Sequence, residues 1–394
     1  MMSSKRTGIG RAVLTGIIIV ILVVAAVAVY LAATSGTSTT SSTPISSTIQ
    51  PSSSSSSSST TGPPQQLKIA VIGSGPSTAY FAEFNYAGVA AAAQALSTPQ
   101  LQITVTAAYN VASSQIISVC QQYVSEGYKI FYFYVDYAAT YYQIAQAVPN
   151  AFFIDEYLTP NGYNSSTFNY QNPESNNYKY NVTNTVGWAV DLSGAYYVAG
   201  VAGALVSQTH KLGYDGAFNI AALAYWYNNF AMGAHSVDNS IPVYYGFTND
   251  WTDPTKGAAV TDSLISRGAD VIAPAGDTQS IGSTKEAVSK NVYGVGYPVN
   301  LNNFSARYML GSVYFNATGT AYTILHDYLT NNVQGHYYDL DMAHHGVAFI
   351  LNPGLASAGV VTSSMQTQIN TAVSDLVSYK VTLSQDANFP PQPT

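Results

Sequence analysis

The apolar pattern along the chain changes period again and again. Residues 67–73 (LKIAVIG) form a continuous apolar run ending in Gly-Ser-Gly-Pro, which predicts a strand buried on both faces. Residues 79–96 carry an alanine-rich helical pattern, 101–109 (LQITVTAAY) a second strand, and SSQIISVCQQYVSEG a helix stopped by glycine. A third strand at 129–136 (KIFYFYVD), a helix ended by proline (ATYYQIAQAVP) and a fourth strand at 150–157 (NAFFIDEY) follow. Beyond a polar, Asn- and Tyr-rich stretch at 161–185 the alternation resumes, from the helix GAYYVAGVAGALVS and the strand KLGYDGAF to the strand VYGVGYPV. Strand and helix in turn predict an α/β fold with parallel sheets covered on both faces. The two runs predict two similar lobes, one from 67–185 with about 301–335, the other from 186–300 with about 336–385, leaving a tail at 386–394. Two such lobes with a cleft between them make a ligand-closing device. Ligands in these sheets sit beyond the carboxyl ends of the strands, which directs attention to 73–80, 109–113 and Asp136.

The longest apolar run stands outside this alternation. Residues 12–33 contain no charge, and as a helix rising 1.5 Å per residue they reach about 33 Å, enough to cross a hydrocarbon core of about 30 Å. Lys5, Arg6 and Arg11 lie in the leading segment 1–11, and no Lys or Arg follows until Lys68. A transmembrane helix is therefore expected, with the N-terminus cytoplasmic and the bulk of the chain outside. The alternative is a cleaved export signal, whose apolar core is usually shorter. Residues 34–66, almost all Ser, Thr, Pro and Gly, hold too few apolar groups to offset their ordering entropy. They predict a disordered stalk whose composition suits O-glycosylation.

Composition narrows the chemistry. Charged residues are only 8% of the chain, against about 25% in ordinary soluble proteins, and polarity comes from Tyr, Asn, Ser and Thr instead. Few carboxylates means little stability to lose when they protonate, which suits an acidic exterior. A net charge of −7 without a basic cluster argues against nucleic acid as a partner. The single cysteine, Cys120, excludes an internal disulfide framework and any multi-Cys metal site, and its helical spacing predicts a buried structural thiol. Asn164, Asn181, Asn303 and Asn316 begin Asn-X-Ser/Thr sequons, acceptors suited to an exported surface. There is no Walker loop, HExxH or Ser/His/Asp motif, and Gly73-Ser74-Gly75 lacks the rest of a dinucleotide fingerprint, so no cofactor is expected. His336, Asp339, Asp341, His344 and His345 are a dense group of potential metal ligands. Two adjacent histidines do not readily serve one metal from a regular element, so a metal-dependent enzyme built on them is a rival reading rather than the first.

Five segments, in order, carry a family likeness. They are YFYVDYAATYYQIAQAVPNAFFIDE (132–156), GAYYVAGVAGALVSQTHKLGYDG (194–216), NFAMGAHSVDNSIPV (229–243), WTDPTKGAAVTDSLISRGADVIAPAGDTQSIG (251–282) and MLGSVYFN (309–316). With them, residues 67 to about 355 resemble the basic membrane protein family of ABC-transporter substrate-binding proteins, which includes purine-nucleoside receptors. The resemblance implies the type I periplasmic-binding-protein fold, two Rossmann-like lobes with a hinged cleft. It also implies a binding protein rather than an enzyme, a small polar ligand with nucleoside foremost, and an ABC permease as partner. A sugar or other small polar signal is the alternative ligand, and a self-assembling surface-layer or filament protein the alternative role. The N-terminus is similar to those of archaeal surface binding proteins, Lys5-Arg6-Thr7-Gly8 before Ile9 suiting a prepilin-type peptidase. That pattern leaves homo-assembly through the N-terminal helix open.

In this family aromatics from the two lobes stack on a nucleoside base while Asp and Lys hold the ribose. The resemblance places Phe81 on the family's first aromatic and Trp226 near its second, with Trp251 and Asp253 on the loop beside the cleft and Asp277 at the next strand end. The chain departs from the pattern where the family's Asn becomes Ala82, with Asn85 as replacement, and where an acidic strand end reads GVGYPVN, leaving Tyr297 and Asn300. The lysine often seen in the family after a Thr-Ser-Val helix start is absent from GSVYFN. Phe81 and Trp226 also fit core packing, and Asp136 and Asp277 also fit helix capping.

Overall fold

Strands that are apolar on both faces need cover on both, and the chain supplies it with the helices between them. The computed structural model describes residues 63–134, 137, 139–156, 158–161, 180–333 and 336–393. One parallel sheet contains β1 (Gln65–Ile72), β2 (Leu101–Ala108), β3 (Tyr128–Phe133), β4 (Phe152–Glu156), β5 (Thr185–Ala189) and β11 (Tyr337–Asp339), in spatial order β2-β1-β3-β4-β5-β11. Alternate side chains of these strands enter two different cores. Ile69, Val71, Ile130 and Ile154 pack with α1 (Tyr80–Leu96) and α8 (Ala317–Leu329). Ala70, Ile72, Phe131, Phe133 and Phe153 turn the other way, against α2 (Ile116–Ser125) and α3 (Tyr141–Ala147). Cys120 is buried on α2, and burial pushes its thiol up to about 12.

The second sheet repeats the design. β6 (Leu212–Gly216), β7 (Val243–Phe247), β8 (Val271–Ala275), β9 (Tyr293–Gly296), β10 (Met309–Phe315) and β12 (Val347–Leu351) lie in the order β7-β6-β8-β9-β10-β12. β12 runs antiparallel to β10, and the other pairs are parallel. α4 (Ser193–Val206) and α5 (Ala221–Val237) cover one face, α6 (Pro254–Ser266) and α7 (Thr278–Ser289) the other. α9 (Gly354–Ser357) is a single turn, and α10 (Ser363–Val377) packs on α4. α4 and α5 touch backbone to backbone through reciprocal glycines. A methyl at Gly200 would lie 2.0 Å from the Phe230 carbonyl oxygen, and one at Gly233 would lie 2.0 Å from that of Tyr197. Only glycine permits so close an approach.

The chain crosses between the sheets three times among the described residues: from β5 into α4, from β10 into α8, and from β11 into β12. These crossings redistribute the C-terminal third relative to the sequence reading. β10 lies in the second sheet, although 301–335 was expected in the first lobe, and β11 lies in the first sheet, although 336–385 was expected in the second. β5, at the expected start of the second lobe, closes on the first sheet beside β4. Local periodicity marks a strand but not the sheet that receives it. One apolar core continues through the crossings, joining Ile69 and Trp188 of the first lobe to Val295 and Phe315 of the second.

Gln65 and Gln66, read as the end of the stalk, belong to β1. Residues 12–33 lie outside the described residues, as does most of 34–66; among the described residues no helix is long and apolar enough to cross a membrane.

Candidate ligand cleft between the lobes

The carboxyl ends of both sheets face one another, so residues that follow the strands meet across the lobes. From the first lobe come Tyr134 after β3, Glu156 ending β4 and Trp188 within β5; from the second come Asp215 in β6, Asp277 after β8, Tyr297 after β9 and Phe315 ending β10. Gly73, after β1, leaves room for a ring, since a methyl there would sit 2.1 Å from Tyr134 Cζ.

The lobes are closed on one another by a cap that one supplies to the other. The N-cap residue of α1 is Ala79, whose side chain offers no acceptor for the first turn. Asp277 of the second lobe fills the role: its Oδ1 accepts a hydrogen bond from the Phe81 backbone N–H at 3.1 Å. The next residue, Thr278, accepts from the Tyr80 N–H through Oγ1 at 3.2 Å. Asp277 occupies the N-cap position of its own helix, α7, without capping it. Burial raises its carboxyl above the usual carboxylate range, and the bonds from Phe81 and Thr278 pull part of the way back.

Aromatic planes line the same region. Trp226 stacks on Tyr196 with centroids 5.6 Å apart and planes 12° from parallel, and Tyr297 lies 5.9 Å from Trp226. On the other side, Trp188 of the first lobe stacks on Phe315 of the second at 5.8 Å, and Phe81 lies 6.4 Å from Phe315. Burial drives the Tyr297 hydroxyl well above its ordinary value, with the negative charges of Asp277 and Glu156 adding to the shift. Burial does the same to Tyr134, reinforced by Tyr109 and Asp277. Asp215 is pushed up to about 8 by burial, opposed by a hydrogen bond from Ser283 Oγ. Every described Lys and Arg is at least partly exposed, so no basic side chain shares the interior with these acids.

The residues singled out from sequence divide accordingly. Phe81, Asp277, Tyr297 and Trp226 come together at the cleft. Asn85, one turn beyond Phe81, is buried and donates to the Phe81 carbonyl at 2.9 Å, while its Oδ1 has no hydrogen-bond partner among the described residues. Trp251 is 40% exposed and rests on Phe218 at 5.0 Å. Asp253 caps α6, its Oδ1 accepting from the Thr255 N–H at 2.8 Å. Asn300 is exposed and accepts from the Asn302 N–H at 3.0 Å in a local turn. Asp136 and Asn164 lie outside the described residues. The histidine-rich segment separates into two local pairs, His344 with Asp341 at 2.8 Å and His336 with Asp327 at 3.7 Å. Among the described residues no three His, Cys, Asp or Glu gather to hold a metal.

Sequence reasoning missed Tyr134, Glu156, Trp188, Tyr196, Asp215 and Phe315. Glu156 and Asp215 end or nearly end apolar strands, the signal that had already drawn attention to Asp136. A surface groove of about 610 Å³ lies at the opposite end of the first sheet, lined by Leu67, Leu101, Lys129, Phe152 and Tyr328. It faces the amino ends of the strands, where such sheets do not bind their ligands.

Two lobes joined by three crossings, with aromatic rings and acids on opposed strand ends, define a solute-binding module of the type I periplasmic-binding-protein fold. The chain belongs to the Bmp family, the ABC transporter substrate-binding proteins like PnrA, whose sequence profile matches residues 86–380. It is similar in fold to an ABC transporter solute-binding protein from Aeropyrum pernix K1, with a TM-score of 0.63 at 10% identity over 81% of this chain and 94% of that one. It is also similar in fold to a transcriptional activator of the comK gene from Bacillus halodurans, with a TM-score of 0.62 at 16% identity over 80% of this chain and 99% of that one. In sequence it is 29% identical over 119 residues to a putative ABC transporter glucose-binding protein of Haloferax volcanii, 30% of each chain. It is 29% identical over 117 residues to a purine-binding protein of Brucella abortus, 30% of this chain and 33% of that one. The chain spans between 30% and 45% of the length of the curated relatives it matches.

Proposed function

We propose that the chain is the extracytoplasmic receptor of an ABC importer and that it closes its lobes on a nucleoside. One observation carries this reading: the opposed strand ends combine broad aromatic faces with buried acids and contain no buried basic side chain among the described residues. A flat heteroaromatic ring gains about 1–3 kcal/mol from an aromatic platform, by analogy with stacked bases. Carboxylates and tyrosine hydroxyls accept from ring amines and sugar hydroxyls. A phosphate or carboxylate ligand would find no buried Lys or Arg among the described residues to pair with, which favours nucleosides over nucleotides. Capture follows if ligand contacts favour the closed arrangement over the open one. A thermal-shift series with adenosine, guanosine, inosine, uridine, ribose and glucose tests this. Saturation at about 100 times Kd adds about 2.7 kcal/mol, a rise of several degrees for a chain of this size. No response to any purine nucleoside would overturn the nucleoside reading.

A sugar is the second reading, favoured by the glucose-binding name of one relative. Sugars also lie against aromatic faces and are held by the same acids, and a response to glucose alone would establish it. We propose in addition that residues 12–33 anchor the chain in the membrane, with 34–64 as a stalk. Release of the full-length protein from washed membranes without detergent would count against the anchor.

A further inference from the structure

The family match ends at residue 380, and the chain that follows is bound along the second lobe between α5 and the sheet edge β7. Residues 384–393 carry no regular structure, yet lobe side chains hold their backbone. Asn229, fully buried, accepts from the Ser384 N–H at 2.8 Å and donates to the Ser384 carbonyl at 3.1 Å. Asn228 donates to the carbonyls of Asp386 and Asn388, each at 2.9 Å. Tyr245 Oη donates to the Pro390 carbonyl at 2.7 Å, and Arg267 to that of Pro393 at 3.3 Å. The backbone of edge strand β7 is bonded in return, the Gln392 side-chain amide Nε2 donating to the Tyr245 carbonyl at 2.7 Å. At the centre the Phe389 ring enters a cage, 4.8 Å from Phe247, 5.0 Å from Tyr245, 5.1 Å from Tyr227 and 6.1 Å from Tyr214.

This is the recognition pattern of an extended proline-rich ligand. Alternate carbonyls from Ser384 to Pro390 find donors, prolines carry no N–H that would need an acceptor, and one aromatic side chain fills a ring-lined pocket. We propose that the second lobe carries a peptide-binding groove between α5 and β7, and that residues 384–393 occupy it as a built-in ligand of Phe-Pro-Pro-x-Pro type. The groove is separate from the cleft, and its assignment does not depend on which solute the cleft takes.

The test uses the full chain. Phe389→Ala empties the cage, so hydrogen exchange at residues 384–389 should accelerate at least tenfold while exchange in β6 and β8 stays unchanged. The variant should then bind a labelled synthetic peptide of residues 384–393 with one-to-one stoichiometry. The same peptide carrying Phe389→Ala should bind at least tenfold more weakly, and the unaltered chain, its groove filled, should not bind the peptide. Unchanged exchange in the variant, or no peptide binding to it, would overturn the proposal. Exchange of residues 384–393 between copies, seen as a full-length dimer that Phe389→Ala dissociates, would overturn the proposal that the segment fills the groove of its own chain.

Discussion

The carboxylate of Asp277, on the second lobe, caps the first turn of α1 on the first lobe through the Phe81 backbone N–H. A helix N-terminus carries partial positive charge, so an acid is the favoured partner there. A hydrogen bond to a charged group is worth about 1.5–3 kcal/mol when both sides are intact. Its energy is available only when the lobes are closed. Asp277→Ala should therefore shift the population toward an open form, while Asp277→Asn, which keeps an acceptor oxygen, should do so less. Small-angle scattering would report the change as a larger radius of gyration for the alanine variant, and ligand affinity should fall about tenfold or more. An alanine variant as compact as the parent would remove Asp277 from the closing contacts.

Stability should decline from mildly acidic to alkaline pH. Asp215 rises from 3.8 to about 8 because burial penalises its charge. An acid raised in this way keeps its proton in the folded state while the unfolded chain gives it up. It therefore costs nothing below its unfolded value and progressively more between the two, up to about 1.4 kcal/mol per pH unit. Asp155, buried with both carboxylate oxygens lacking a hydrogen-bond partner among the described residues, is raised too and adds in the same direction. Half-buried Asp250 and Asp253 are lowered instead, chiefly by hydrogen bonds from Lys256 and Thr255, so their contribution is lost only in the acid range. Denaturation midpoints should thus be higher at pH 5 than at pH 8, with Asp215→Asn flattening the slope. A profile that rises toward pH 8 would contradict the burial argument.

Gly200 and Gly233 hold α4 against α5 at backbone contact. Alanine at either position forces the two helices apart, and overpacking of this kind costs about 1–3 kcal/mol. Urea unfolding of Gly200→Ala should show that loss with an unchanged m-value. A neutral result would mean that the helices separate without disturbing the sheet beneath them.

The sequons differ in what they already do. Asn181 and Asn303 are exposed. Asn316 caps α8, its Oδ1 accepting from the Gly319 N–H at 3.0 Å while its Nδ2 donates to the His345 carbonyl at 3.0 Å. A glycan would attach at that nitrogen. Mass spectrometry of protein from its native host should find sugar at Asn181 and Asn303 and none at Asn316. Asn316→Ala should cost about 1 kcal/mol as a lost cap.

The individual elements were more legible in the sequence than their assembly. Apolar runs such as 67–73 and 150–157 announce strands β1 and β4 to within about two residues, the usual looseness of element ends. The five residues of β5, with glycine at their centre, give no comparable signal, and Trp188 was missed with them. β11 has three residues, and its place beside β5 depends on partners 150 positions away in the chain. At the cleft, Phe81, Trp226, Asp277 and Tyr297 were reached through family resemblance. Phe315 was not, because its role depends on β10 ending where the chain changes lobes. Trp251 and Asp253 sit in a conspicuous motif, yet one lies against Phe218 and the other caps a helix. A motif fixes the order of residues; which way each side chain turns is decided by packing.

The late arrival of β11 and β12 bears on how the protein is made. The first sheet begins at residue 65 and is completed by residues 337–339, and the second is completed by residues 347–351. At ordinary rates of synthesis, tens of seconds separate the emergence of β1 from that of β11. During that interval the edge of β5 stands open, and the crossings that join the lobes are incomplete. Neither lobe corresponds to a continuous stretch of chain that could finish its own sheet. Neither sheet can therefore be completed until nearly all of the polypeptide has been made.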